Sequence, residues 1–265
     1  ALPNGEAQEI SKNLLAKNTL IDLAADFRLE KASDYLKWYK QKHKAPNLIK
    51  KSIYGLPEIT GKKIISYKII GCPGCYPTSI LLPLIPLIKK KLLNISNIII
   101  DSKSGYSGAG RGVHKKYKDQ NLYESLSAYG IPYHKHNSEI EQQIKKHTKR
   151  KLNFTFTPHL SPMFRGILST IYVDLNKGKT VNSLHKELIN FYRKSVFVKV
   201  QKIDSIVSTN NVINTNNCRI SICKSKHKDK AIILSSIDNL IKGGAGQAIQ
   251  NMNILHNFNV KEGLR

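Results

Sequence analysis

The chain is short of acidic residues: 18 Asp and Glu stand against 43 Lys and Arg, a formal net charge of +25 over 265 residues. Such an imbalance points to one of three partners, namely nucleic acid, an anionic membrane surface or a small acidic substrate. Cysteine is scarce as well. The four, Cys72, Cys75, Cys218 and Cys223, are too few and too clustered for a disulfide scaffold, which favours a reducing, cytosolic setting. No uninterrupted apolar stretch reaches membrane-spanning length; the best, at 80–88, is broken by Pro83 and Pro86 and followed by Lys89-Lys90-Lys91. Also missing are a long basic tail, an Arg-rich helix, zinc-finger spacing, an internal repeat and a low-complexity linker. The lysines lie in short scattered runs, as at Lys115-Lys116 and Lys145-Lys146, so the charge reads as a solvated surface ahead of a dedicated nucleic-acid site. The opening Ala1-Leu2-Pro3-Asn4-Gly5 has no initiator Met and does not resemble a signal peptide, and it reads as a start in mid-protein.

What is present is patterned. A helix is expected over 6–18, with Ile10, Leu14 and Leu15 on one side, and another over 32–44. Strands are expected at 19–24, 62–70 and 95–100, with a helix at 77–93 entered from a turn. That order favours an α/β layer with crossover connections. Residues 105–133 are rich in Gly, Tyr and Ser and read as loops with one short helix at most. A helix over 138–150 follows, then strands at 152–157, 167–175, 196–203, 218–224 and 231–237, a helix at 181–194 and a last one at about 246–257. The later cluster suggests an α+β domain on a mostly antiparallel sheet.

The chemical centre is Gly71-Cys72-Pro73-Gly74-Cys75-Tyr76-Pro77-Thr78. A strand ending near Ile70 meets a Pro-Gly turn, and Pro77 sits where a first helical residue belongs. Cys75 is thereby expected just before a helix N-terminus, where unpaired N–H groups and the positive dipole end favour a thiolate and an oxyanion formed on attack. Three other readings compete. Cys72 fits a small buried hydrophobe, and Cys-x-x-Cys fits either a redox dithiol or a plain tight turn. A zinc site would add Cys218 and Cys223, but on one strand their odd separation puts them on opposite faces, so no metal is expected.

With these residues in view, the chain resembles the N-acetyl-γ-glutamyl-phosphate reductase family over essentially its whole length. The resemblance is carried, in order, by Leu23-Ala24-Ala25-Asp26-Phe27-Arg28, Tyr54-Gly55-Leu56-Pro57-Glu58 and Pro73-Gly74-Cys75-Tyr76-Pro77-Thr78. Next come Ser104-Gly105-Tyr106-Ser107-Gly108-Ala109-Gly110-Arg111, and Tyr133-His134-Lys135-His136 with Glu139-Ile140. It ends with Phe156-Thr157-Pro158-His159-Leu160, Arg165-Gly166-Ile167-Leu168-Ser169-Thr170, and the run from Asp238-Asn239-Leu240 through Lys242-Gly243-Gly244-Ala245-Gly246-Gln247. Each is weak alone; together and in family order they are specific.

The resemblance implies an aspartate-semialdehyde-dehydrogenase-like fold, α/β plus α+β. In it, a truncated Rossmann NADP-binding domain (1–76 and 238–265) carries an inserted catalytic and dimerisation domain (77–237). Family members open with a strand and a Gly-rich phosphate turn that this chain lacks, so poor NADPH binding is expected of it. Two smaller departures are Lys135, where an Arg is common, and Pro83, expected to kink the helix near Pro86.

The implied reaction is NADPH-dependent reduction of a small acyl phosphate through a thioester on Cys75, in a homo-oligomer with no specific nucleic-acid or membrane partner. His134 and His136 are the best acid/base pair. A capping box of Ser138 with Glu141 would put them just before a helix, and in extended chain they would point the same way. His114, His159 and His185 have less support. Arg111 and Arg165 suit phosphate or carboxylate, as does Arg28, for which a structural ion pair is equally open. Ser104, Gly105, Gly108, Asn239, Gly244 and Gln247 are the implied cofactor contacts. Two alternatives stand beside this reading: a related semialdehyde dehydrogenase, and a basic nucleic-acid-binding protein whose binding falls with salt and survives Cys75→Ala.

Overall fold

A computed structural model describes residues 2–110, 121 and 123–265. They form two compact units, one of the described residues within 1–74 and 244–265 and the other of those within 75–243.

The first unit is built on three short parallel strands, β1 (Leu20–Asp22), β2 (Ser52–Tyr54) and β3 (Ile69–Gly71), in the order β1-β3-β2. Parallel neighbours need crossovers, and the chain supplies helix α2 (Ala32–Tyr39), a 3-10 turn at Pro46–Lys51, the single turn α3 (Pro57–Thr60) and a 3-10 turn at Gly61–Ser66. Ile53, Ile64 and Ile70 form the core with Ile254 and Leu255 of the last helix (Gly246–Leu255). Asn251 of that helix donates to the Gly55 carbonyl at 2.9 Å, and a Cβ on Gly55 would stand 2.5 Å from Ile70 and 2.9 Å from the Asn251 amide, so only glycine fits.

Several expectations are corrected here. The run at 62–70 is mostly the 3-10 turn, with three strand residues at its end, while β2 went unread. Three-residue strands are too short for alternation to register. Helix α1 (Glu6–Leu14) buries Ala7, Gln8 and Ser11 and leaves Ile10 and Leu14 exposed, the reverse of the expected face. Gln8 explains the choice, because its side-chain Oε1 accepts the Lys44 N–H at 2.6 Å. Helix α2 stops at Tyr39, since Lys40 takes a left-handed backbone (φ 58) that closes it.

The second unit carries a seven-stranded mixed sheet in the order β5-β6-β4-β7-β10-β9-β8. Its strands are β4 (Leu93–Gly105), β5 (Ser127–Ala128), β6 (Phe154–Ser161), β7 (Ile167–Leu175), β8 (Val198–Val200), β9 (Cys218–Lys224) and β10 (Lys230–Ile237). Among the described residues of this unit, only β4–β6 and β8–β9 pair in parallel. Along β7 burial alternates, with Ile167, Ser169, Ile171 and Val173 buried and Tyr172 exposed. The buried side meets helix α4 (Cys75–Lys89), since Ser169 hydrogen-bonds Ser79 of that helix at 2.7 Å. Helices α5 (His136–Thr148) and α6 (Val181–Tyr192) pack on α4. The other side of the sheet exposes Ile99 and Tyr172.

Helix α4 is buried from Tyr76 through Ile88 and apolar nearly all round, the signature of a central helix. It begins at Cys75, ahead of the expected 77, and continues through Pro83 and Pro86. Pro86 has no N–H for the carbonyl four residues back, that of Leu82. The Tyr192 hydroxyl donates to this carbonyl at 2.5 Å, so the helix absorbs the proline without an orphaned acceptor. Among the described residues no helix is long and apolar enough to cross a membrane. Tyr192→Phe is expected to destabilise the protein by about 1–3 kcal/mol, the cost of a buried carbonyl left bare; urea unfolding at constant m-value measures it.

Candidate functional site

The site in the second unit starts from the first turn of α4. Cys75 is the first helical residue and is half-buried, and the first turn contains no acidic side chain. Its leading N–H groups have no helical carbonyl to reach, which leaves the positive end of the helix at the sulfur. The turn is held from below by a hydroxyl chain. Ser79 Oγ donates to the Tyr76 carbonyl at 2.9 Å, so it accepts from Ser169 (2.7 Å), which accepts in turn from Ser102 (2.7 Å). On another side, a Cβ at Gly243 would lie 2.7 Å from the Cβ of Cys75 and 3.1 Å from its Cα, so the glycine lets that backbone sit against Cys75.

Tyr76, next to Cys75, carries the site outward. Its ring lies edge-on to both His134 and His136 with centroids 5.9 Å away in each case, and to Phe156 at 5.4 Å. Its hydroxyl donates to the His159 carbonyl at 3.0 Å and accepts from the Tyr129 hydroxyl at 3.3 Å. The imidazoles themselves meet at 4.8 Å. They do so by a route other than extended chain: α5 begins at His136, and the His136 N–H donates to Nδ1 of His134 at 3.2 Å. The expected capping box is absent because the helix starts two residues early. Lys135 is the cap residue, and Ser138 Oγ donates to its carbonyl at 2.6 Å.

The two imidazoles differ electrostatically. Burial, then the neighbouring His136, push His134 down to about 3; Glu139 pulls upward against them, and Lys135 adds the smallest downward push. His134 is therefore neutral, with Nδ1 as acceptor and the proton on Nε2. His136 Nε2 stands 3.8 Å from Oε1 of the fully buried Glu139, one helical turn on. Glu139 is a site residue that sequence reasoning quoted without giving it a role; its i,i+3 spacing from His136 was the available signal.

Other expected residues fall into place differently. Arg165 Nη1 donates to Asn214 Oδ1 at 2.7 Å and lies 3.4 Å from the buried Asp238, with its guanidinium 5.4 Å from the Phe164 ring. Ser104, Gly105, Gly108 and Asn239 do come together. However, the N–H groups of Gly105, Tyr106 and Ser107 donate to the carbonyls of Gly166, Met163 and Phe164. Asn239 accepts from the Gly166 N–H at 2.7 Å and donates to Ser107 Oγ at 3.0 Å. The backbone donors of this loop are thus satisfied within the unit, a knot of internal bonds. His159 Nδ1 stands 3.2 Å from Asp101, and His185 Nε2 bonds the Gln201 carbonyl at 2.9 Å, so both have structural partners. Cys218 and Cys223 share β9. Arg111 and His114 lie outside the described residues.

Within the first unit, Arg28 donates from Nε to the Cys72 carbonyl (2.7 Å) and from Nη2 to that of Leu23 (3.0 Å), a brace for the turn leading to the cysteines. The Cys72 thiol is buried, and burial pushes it up to about 12, so it is no thiolate at neutral pH. Gly244 takes a non-helical backbone ahead of the last helix. Gln247, in that helix's first turn, is fully buried with neither amide atom hydrogen-bonded.

Residues 75–239 match the family model described as semialdehyde dehydrogenase, dimerisation domain. The chain is 45% identical to an Arabidopsis thaliana protein named probable N-acetyl-gamma-glutamyl-phosphate reductase, chloroplastic, covering 99% of this chain and 66% of that one. It is 44% identical to the protein of the same name in Oryza sativa subsp. japonica, of which it covers 64%. To the N-acetyl-gamma-glutamyl-phosphate reductase of Clostridium botulinum (strain Eklund 17B / Type B) it is 45% identical over 100% of this chain and 77% of that one. It thus spans just under two thirds of the plant relatives' length. Among solved structures, aspartate semialdehyde dehydrogenase II from Vibrio cholerae superposes with a TM-score of 0.68 at 14% identity, covering 94% of this chain and 77% of that one. The enzyme from Francisella tularensis gives 0.66 at 16%, covering 94% and 79%; both likenesses concern the fold.

The electrostatics yield one expectation. The folded chain holds His134 well below the 6.5 of an unfolded chain, so the unfolded state binds the extra proton as pH falls. Stability should therefore drop below pH ~6.5 with a slope approaching about 1.4 kcal/mol per pH unit for this one group. Urea unfolding at several pH values should show that slope in the wild type and a shallower one in His134→Phe.

Proposed function

This chain belongs to the N-acetyl-γ-glutamyl-phosphate reductase family, and we propose that it carries the chemistry of an NADPH-dependent reduction of N-acetyl-γ-glutamyl phosphate to N-acetylglutamate semialdehyde and phosphate. The observation that carries the reading is the convergence on one aromatic residue. Tyr76, adjacent to the helix-starting Cys75, packs edge-on against both imidazoles at 5.9 Å.

Cys75 attacks the acyl carbon as thiolate; the carbon–oxygen bond to phosphate breaks, phosphate departs, and a thioester remains on sulfur. Arg165 receives the anionic end of the substrate through the part of its guanidinium turned away from Asp238. When bound, NADPH supplies the hydride that reduces the thioester carbon. His136, oriented by Glu139, gives a proton to the resulting hemithioacetal oxygen and takes it back as the carbon–sulfur bond breaks and the aldehyde leaves. His134, neutral and desolvated, fixes the His136 backbone through Nδ1.

In the first unit, the parallel strands β1-β3-β2 with their crossovers support part of an NADP-binding Rossmann domain. The second unit is then the inserted catalytic and dimerisation domain. Gln247 fits the cofactor: a buried amide with an idle donor and an idle acceptor suits a polar partner such as the nicotinamide carboxamide. A homo-oligomer is supported by the matched family's description as a dimerisation domain. The four free cysteines favour a reducing compartment, the cytoplasm.

The test runs the reaction backwards in the full protein, following phosphate-dependent oxidation of N-acetylglutamate semialdehyde by NADP reduction. Cys75→Ala is expected to lower kcat at least about a thousand-fold with the circular dichroism unchanged. A wild-type protein that gives no phosphate-dependent signal ends this reading.

A further inference from the structure

Asp238 closes β10 with its side chain fully buried, and groups of its own unit surround the carboxylate. Oδ1 accepts the N–H of Leu240 at 2.8 Å and that of Ile241 at 3.1 Å, and the Asp238 carbonyl accepts the Gly243 N–H at 2.9 Å. Oδ2 accepts the Asn214 N–H at 2.8 Å and pairs with Arg165 Nη1 at 3.4 Å, while Nη1 also donates to Asn214 Oδ1 at 2.7 Å. A buried carboxylate is tolerated when its acceptor positions are filled, and here the two oxygens fill theirs on different structures.

Each oxygen leads to a different part of the site. The Oδ1 side shapes a turn that ends on Gly243, whose missing Cβ would stand 2.7 Å from that of Cys75. The Oδ2 side holds the guanidinium of Arg165 between itself and Asn214. Asp238 touches no reacting atom in this arrangement; it acts through its neighbours.

We propose that Asp238 is a positioning residue, one oxygen seating the Gly243 turn against Cys75 and the other aiming Arg165 at the anionic substrate. What Cys75 and Arg165 bind rests on the reductase reading; the brace itself rests on the geometry. The two arms are separable by substitution. Asp238→Asn keeps an acceptor for the Leu240 and Ile241 N–H groups, but sets an NH2 donor against two other donors, the Asn214 N–H and Arg165. Gly243→Ala leaves the carboxylate intact and intrudes first on Cys75, with the Ile237 Cδ1 at the end of a flexible side chain next, at 3.2 Å.

Both variants are measured in the full protein for KM and kcat with the acyl phosphate and for inhibition by inorganic phosphate. The rate of Cys75 alkylation by iodoacetamide, read by peptide mass spectrometry, reports the nucleophile without turnover. Asp238→Asn should raise KM and the phosphate inhibition constant about ten-fold or more, with kcat and Cys75 alkylation held within about three-fold. Gly243→Ala should do the opposite, changing alkylation and kcat by about five-fold or more while KM stays near wild type. If Asp238→Asn does not fold, Asn214→Gly reads the same arm. Asn214 already has a left-handed backbone (φ 62), so glycine keeps the N–H to Asp238 and removes only the side-chain acceptor of Arg165. Its KM should rise in the same direction. An unmoved KM in the Asp238 and Asn214 variants, or an equal alkylation change in Asp238→Asn and Gly243→Ala, overturns the proposal. A wild type without phosphate-dependent activity sinks the reductase reading instead, and the alkylation comparison still decides the Cys75 arm.

Discussion

Everything in the second unit is arranged around the first turn of a helix buried along nearly its whole length. A central helix of this kind makes its N-terminal N–H groups available at one fixed place, and the residue standing there inherits their field. Cys75 holds that position. Its turn is gripped through the Tyr76 carbonyl by the chain of three buried serine hydroxyls, and it is bounded by the bare backbone of Gly243. Small side chains do this work because close approach and directed hydroxyls specify a position more tightly than apolar packing alone.

The same burial sets the electrostatics outside the turn. Tyr76 and Phe156 take water away from His134, and a desolvated imidazole beside a second imidazole gives up its charge. His136 stands 3.8 Å from a buried carboxylate on its own helix, that of Glu139. Two chemically identical side chains, one residue apart, thereby meet different surroundings.

Several polar groups hold the frame. Asn239 ties two loops, Arg28 braces the turn before the cysteines, and Tyr192 answers the carbonyl that Pro86 leaves without a donor. In each case a buried backbone group would otherwise be bare, and the cost of that explains why a polar side chain is found there.

Local chemistry was legible in the sequence. The alternation at 167–175 and the run at 218–224 are the strands β7 and β9 to the residue, and the Pro-Gly turn ahead of Cys75 does open into a helix. The histidine pair also meets as read, although through a helix start in place of extended chain. Such features depend on residues within one or two turns of each other, where period and turn chemistry act. The tertiary structure alone decided which face of α1 is buried, that three-residue β2 exists, and that Asp238, Gly243, Glu139 and Tyr192 matter. Most of their roles come from partners distant in the chain, such as Leu82 for Tyr192 and Cys75 for Gly243, and no local pattern records which of many similar side chains the topology will bring together.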